Sequence, residues 1–177
     1  MRWAITAGVV AVLAAFGGQA RARDVGEITV TSPAFNNGAA IPREYTCDGR
    51  SVSPPIDWTA VPPDTKSIVV IVDDPDAPSG TFEHFVAFNV PPTQRSLPSE
   101  SAATAMAATK GMTGRNSSGT SGFAPICPPS GTHHYRFRVL ALDTTIASRP
   151  GASAADLANA VTGHVIARGE LVGTYRR

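Results

Sequence analysis

Ser67-Ile68-Val69-Val70-Ile71-Val72-Asp73-Asp74-Pro75-Asp76-Ala77-Pro78 decides how this chain reads. The first six residues form a nearly continuous β-branched run bounded by Pro63 and Pro75, which predicts a strand buried on both faces. The strand then meets a turn stiffened by two prolines and carrying three carboxylates, so acidic side chains are held close together at the edge of a sheet.

Outward from that stretch the pattern repeats. Residues 84–90, His-Phe-Val-Ala-Phe-Asn-Val, predict a second strand closed by Pro91-Pro92. Residues 135–142 predict a third, in which Arg136 and Arg138 alternate with Phe137 and Val139 and place one face towards solvent. Residues 28–31 read as an earlier strand ended by Ser32-Pro33, and Asn36-Asn37-Gly38 and Asp48-Gly49 as turns. Residues 101–108 suit one or two helical turns, and the Gly, Ser and Asn rich residues 111–122 a loop. One clear helix is expected late: Ser153 is its N-cap, Asp156 its capping-box partner, and Leu157, Val161, His164 and Val165 share a face. It should end near Gly169, with residues 170–175 returning as a short strand or extended tail, and His164 reads as a core histidine on the apolar face. With 16 Gly, 15 Pro and only 16% charged residues in 177, many short strands are favoured over long surface helices. The expected class is all-β with minor α, in one domain.

The first 22 residues differ from the rest. Arg2 supplies a positive charge, residues 4–16 are apolar apart from Thr6, and Ala20-Arg21-Ala22 offers small residues at cleavage spacing, so residues 1–22 read as a secretory signal and 23–177 as the mature domain. The apolar run is shorter than the roughly 20 residues of a spanning helix. A retained membrane anchor is the alternative, and no cysteine follows the run to carry a lipid. Export to the periplasm or outside the cell is therefore expected. Cleavage would remove two positive charges from a formal net charge of +1 and leave −1. Lys and Arg are scattered without a basic stripe, which argues against nucleic-acid binding. Cys47 and Cys127 are the only cysteines. In an oxidising compartment they can form a lasting disulfide, or they can stay as two buried thiols; spacing leaves both open and excludes a structural zinc site built from them alone.

Chemistry points to the ends of the three strands. Gly80-Thr81-Phe82-Glu83-His84 runs from the acidic turn into the second strand and brings His84 near an aspartate, a pairing that would favour an imidazolium able to donate to an anion. The third strand is entered through Cys127-Pro128-Pro129-Ser130-Gly131-Thr132-His133-His134-Tyr135. Alternation sends His133 and Tyr135 to one face and His134 to the other.

In this order, strand, Asp-Pro-Asp-Ala-Pro, His-Phe-Val-x-x-Asn-Val-Pro, Pro-Pro-x-Gly-x-His-x-Tyr, strand and Ala-Leu-Asp, the chain resembles the phosphatidylethanolamine-binding proteins, in particular their bacterial Raf-kinase-inhibitor-like branch. Ile41-Pro42, Tyr45-Thr46-Cys47-Asp48-Gly49, Ser53-Pro54-Pro55, Gly163-His164 and Gly173-Thr174-Tyr175-Arg176 extend the resemblance over nearly the whole mature chain. The resemblance implies a two-sheet antiparallel Greek-key sandwich with a small cavity for phosphate-like, acetate-like or phospholipid headgroup ligands. It assigns Asp74, Asp76, His84, His133 and Tyr135 to that pocket, with Phe82 at the rim. Phe123, Pro125 and Ile126 stand where the branch has Gly-Tyr-x-Gly-Pro before the Cys-Pro-Pro, and Pro125-Ile126 in place of Gly-Pro should stiffen the wall and narrow it with an apolar side chain.

Three functions compete at this point. The first is non-catalytic binding of a small anion or phospholipid headgroup, with the histidines donating and the aspartates orienting them. A second is inhibition of a secreted or periplasmic peptidase, or signalling regulation, through a protein surface, as the resemblance also implies. The third, a metal-assisted hydrolase, finds no Gly-x-Ser-x-Gly elbow and no His-Glu-x-x-His motif. No cofactor, metal ligand set or catalytic residue is expected.

Overall fold

Residues 67–72 become the spine of the main sheet. In the computed structural model, which describes residues 24–99 and 110–177, β4 (Ser67–Asp74) is buried along all eight of its residues. It lies between β5 (Phe82–Val90) and β8 (Thr132–Leu142) and is antiparallel to both. The sheet has six strands in the order β1 (Gly26–Glu27), β9 (Val165–Arg176), β8, β4, β5 and β7 (Met112–Thr113). A second sheet joins β2 (Val30–Thr31), β3 (Ile56–Trp58) and β6 (Ser96–Leu97). Every pairing between these strands is antiparallel except β1 with β9. The two-sheet, mostly antiparallel class with a minor helix is the one expected.

Period-2 alternation explains how one strand serves two cores. Ile68, Val70 and Val72 of β4 join Ile56, Trp58, Leu97, Tyr135 and Phe137 in the core between the sheets, while Val69 and Ile71 pack with Val86, Phe88 and Leu157 on the other side. Leu157 belongs to helix α1 (Ala154–Val161), whose Ser153 N-cap accepts from the Asp156 amide at 3.2 Å while Asp156 accepts from the Ser153 amide at 2.8 Å. That capping box starts the helix as its sequence predicts.

The helix stops much earlier than expected, and the longest strand begins soon after it. Gly163 takes a positive φ of 80°, and β9 then pairs with β8 from Leu142↔Val165 to Thr132↔Arg176. The β-branched residues Val165 and Ile166 suit the ladder better than a helix, and a ladder of this length outweighs weak helical periodicity. His164 consequently leaves the core. It is exposed, with Nδ1 2.8 Å from Oδ1 of Asp143. The expected signal segment 1–22 and the helical turn at 101–108 lie outside the described residues.

Of the strand expected at 28–31, only Val30–Thr31 forms one, in the second sheet, while the two residues Gly26–Glu27 just before it join the main sheet. β1 pairs with β9 and β2 with β3; between them the Ile28 amide donates to Arg168 O at 2.9 Å. The crossing needs space at Gly169, where an added Cβ would lie 1.8 Å from Ile28 O and 3.0 Å from a Val30 methyl. Backbone, not a flexible side chain, blocks that position. Gly169→Ala is therefore expected to cost about 3 kcal/mol, the upper range of overpacking, measured by urea unfolding. A loss under about 0.5 kcal/mol would contradict this packing.

Candidate functional site

Three strand ends and two loops enclose a cavity of about 410 Å³ at one edge of the six-stranded sheet. β4 ends on Asp74, the proline-bound turn contributes Ala77 and Pro78, β5 begins with Phe82 and His84, and β8 delivers His133 and Tyr135. The remaining walls are Ser118, Ala124, Pro125, Pro129 and the bridge between Cys47 and Cys127. Those two cysteines are paired as a disulfide across a sequence separation of 80. Among the described residues, no lysine or arginine lines the cavity.

Its polar groups are held in a definite order. Asp74, 4% exposed, receives His133 Nδ1 at 2.7 Å on Oδ2 and the Asp76 amide at 2.9 Å on Oδ1. His84, also 4% exposed, places Nδ1 2.9 Å from the carbonyl of Ala124. A carbonyl only accepts, so Nδ1 of His84 carries the hydrogen. Burial pushes the His84 pKa below its ordinary value, outweighing the Ala124 carbonyl and the charge of Asp74. The expected Asp–His84 pair is thus replaced: His133 takes the aspartate, and His84 is neutral and bound to backbone. Its ring stacks obliquely against Phe82 at 4.8 Å and meets the edge of Tyr135 at 5.4 Å. Tyr135 is fully buried, and its hydroxyl has no hydrogen-bond partner. Burial raises its pKa, with the nearby Asp74 carboxylate adding to the effect, so the group stays a phenol.

Because its pKa is depressed, His84 couples stability to pH. The unfolded chain takes up a proton near pH 6.5 and the folded chain only at lower pH, so this contribution is intact above pH 6.5 and is lost as pH falls towards the folded value. Urea midpoints are expected to fall between pH 7 and pH 5, and less steeply in His84→Gln. Equal slopes in both proteins would show that His84 is not the residue responsible.

Not every expected residue reaches the cavity. Asp76 is turned outward, where Oδ2 accepts from both the backbone and the Nδ1 of exposed His134, at 2.8 and 2.7 Å. The His134 side chain and then its amide hold the Asp76 pKa below the usual carboxylate range. Asp76 therefore ties the turn to β8 instead of lining the pocket. Ile126 corrects a second expectation. It is fully buried in the core, because the segment is extended and its neighbours Pro125 and Cys127 take the cavity side. The Pro125-Ile126 step does not narrow the pocket with an apolar side chain. Phe123 lies beneath, 6.1 Å from the His84 ring, against a separate pit of about 20 Å³ lined also by Phe85 and Phe137.

Two contributors escape a reading of the sequence. Asn116, 4% exposed, accepts on Oδ1 from the amides of Ser118 and Thr120 and donates to Gly122 O, which shapes the loop carrying Ser118 and Ala124. Asn89, at φ 52°, is bonded through its side chain to both backbone groups of Ile146 and fixes the far end of β5. An isolated Asn before a turn or a proline is the available signal for each.

A larger open groove of about 750 Å³ lies along the outer face near Arg136, Arg138 and Arg168. Arg136 and Arg138 are both bonded to the fully buried carboxylate of Asp73, and Glu27 and Glu170 also line the groove. The convergence of buried polar groups is at the smaller cavity.

Residues 31–176 match the family model described as phosphatidylethanolamine-binding protein. This chain belongs to that family. The phosphatidylethanolamine-binding protein fold is also seen in solved relatives. The homologue CT736 of Chlamydia trachomatis superposes with a TM-score of 0.79 at 35% identity, covering 86% of this chain and 99% of that one. YbcL of E. coli gives 0.77 at 32% identity with the same coverage. In sequence, the UPF0098 protein of Methanothermobacter thermautotrophicus is 46% identical over 144 residues, 81% of this chain and 95% of the relative.

Proposed function

We propose that this family member is a non-catalytic binding protein that holds a small anion, inorganic phosphate or the phosphate of a lipid headgroup, among His84, His133 and Tyr135. One observation carries the reading: the Tyr135 hydroxyl is fully buried beside the cavity without a partner. A buried polar group left unbonded costs free energy, and a ligand oxygen accepting from it would recover that cost. Asp74 supports the same reading by fixing His133 through Nδ1, which leaves Nε2 as the nitrogen available to a ligand. Asp76 acts at one remove, by bracing the turn. The apolar, basic-to-small composition of residues 1–22 supports export of the domain at 23–177.

Calorimetric titration with phosphate, followed in parallel by the histidine ring signals, tests the reading. Binding should move the His84 and His133 resonances, and unchanged signals at saturating phosphate would refute it. Tyr135→Phe should weaken phosphate by about tenfold or more, the value of one hydrogen bond to a charged group. Its folding stability should stay level or rise by up to about 1 kcal/mol, because an unpaired buried hydroxyl has been removed. A structural tyrosine would show the opposite pattern, with stability lost and affinity unchanged.

A further inference from the structure

We infer that the cavity selects its ligand as a protonated phosphate monoanion, whose single P–OH donates to Nε2 of His84 while its other oxygens accept from Tyr135 and His133. The inference rests on the binding reading above and narrows its ligand class.

Donors and acceptors around the cavity, counted one by one, lead to this state of the ligand. Nδ1 of His84 is 2.9 Å from the Ala124 carbonyl and must donate to it. In the neutral ring the hydrogen sits there, and Nε2 presents a lone pair. Asp74 adds to this acceptor surface: each of its oxygens already takes one hydrogen bond, from His133 Nδ1 and from the Asp76 amide, and the lone pairs that remain can likewise only accept. Tyr135 offers an unpaired O–H. With no lysine or arginine among the described lining residues, no permanently cationic side chain compensates a second negative charge. A ligand made only of acceptors would set an oxygen lone pair against that of His84, and a site built around a hydroxyl discriminates strongly against an analogue lacking it.

The groups that could change the state of His84 surround it. They are Asp74 and Asp73 from β4, His133 and Tyr135 from β8, and, acting through Tyr135, Asp76 in the turn and Tyr175 from β9. The disulfide wall does not titrate. Asp73 faces the outer side, bound by Arg136 and Arg138. Burial lowers the His84 pKa despite Asp74, which favours the neutral ring.

Three small probes separate charge, donor and pH. Methyl phosphate offers the P–OH below its second ionisation, near pH 6 for phosphate monoesters. Dimethyl phosphate is a monoanion without it and matches the diester of a lipid headgroup, and sulfate is a dianion without it. At pH 5.5, methyl phosphate should bind at least about tenfold more tightly than either. Its advantage over sulfate should shrink towards pH 8, where the monoanion is about a hundredth of the total; sulfate measured at each pH reports titration of the protein itself. His84→Gln, whose amide can turn a donor inward, should reduce the preference to within about threefold. Sulfate or dimethyl phosphate binding as tightly as methyl phosphate at pH 5.5 overturns this inference and leaves the binding reading intact. Failure of all three probes and of inorganic phosphate to bind overturns the binding reading and this inference with it.

Discussion

Replacing Cys47 and Cys127 together by serine is expected to lower the free energy of unfolding by about 4 to 5 kcal/mol, the chain-entropy value for a loop of this length. The bridge closes a loop with a sequence separation of 80 that contains β3 through β7, so its loss releases a large part of the unfolded chain. The folded side is already organised without it. Thr46 and Ile126 form a parallel bridge, the Cys47 amide donates to Ile126 O at 3.0 Å, and Ile126 is fully buried. The wall segment therefore keeps its place in the folded serine variant, and the cost falls mainly on the unfolded state. Urea unfolding of the native protein and the double variant reads the difference directly, and the reduced native protein should behave like the variant. A loss of less than about 1 kcal/mol would contradict this account. With a domain stability of about 5 to 15 kcal/mol in general, the variant is best handled at low temperature and below its midpoint.

How much of this was legible in the sequence depends on whether the deciding force is local. The unbroken apolar run marked β4 as a strand buried on both faces, and alternation in β8 separated His133 and Tyr135 from His134 and set Arg136 and Arg138 on the outer face. The Ser153 cap marked the start of α1. The end of α1 was not legible, because β9 is created by pairing with β8, a distant segment of the chain, and Gly169 shows its role only when Ile28 lies against it. In the site, alternation holds within strands and fails in turns. Asp74 is the last strand residue and faces the cavity; Asp76, two residues on, is in the turn, where the backbone no longer keeps a two-residue period. The neutral state of His84 was equally hidden, since it depends on the Ala124 carbonyl, 40 residues away, and on burial. Ile126 is likewise held by a distant segment, through its parallel bridge with Thr46 and the bond from the Cys47 amide.

That division between Asp74 and Asp76 can be tested by removing each. Asp74→Ala is expected to lower phosphate affinity by at least about a hundredfold and folding stability by about 3 kcal/mol, the cost of stripping a buried, hydrogen-bonded charge from its partners. Two donors, His133 Nδ1 and the Asp76 amide, lose their acceptor, and the imidazole loses what fixes its orientation. Affinity falls further than one hydrogen bond would explain, because both the direction of His133 and the shape of the turn bearing Ala77 and Pro78 depend on this carboxylate. Asp76→Ala removes a group whose side chain is 42% exposed and whose partner, His134, is more exposed still. Its phosphate affinity should stay within about threefold of the unaltered protein, in line with the small value of exposed ion pairs. Calorimetry on the two variants, each checked for folding by urea titration, gives the comparison. Equal losses of affinity would mean that Asp76 turns into the cavity when ligand arrives, and a large loss from Asp76→Ala alone would reverse the assignment.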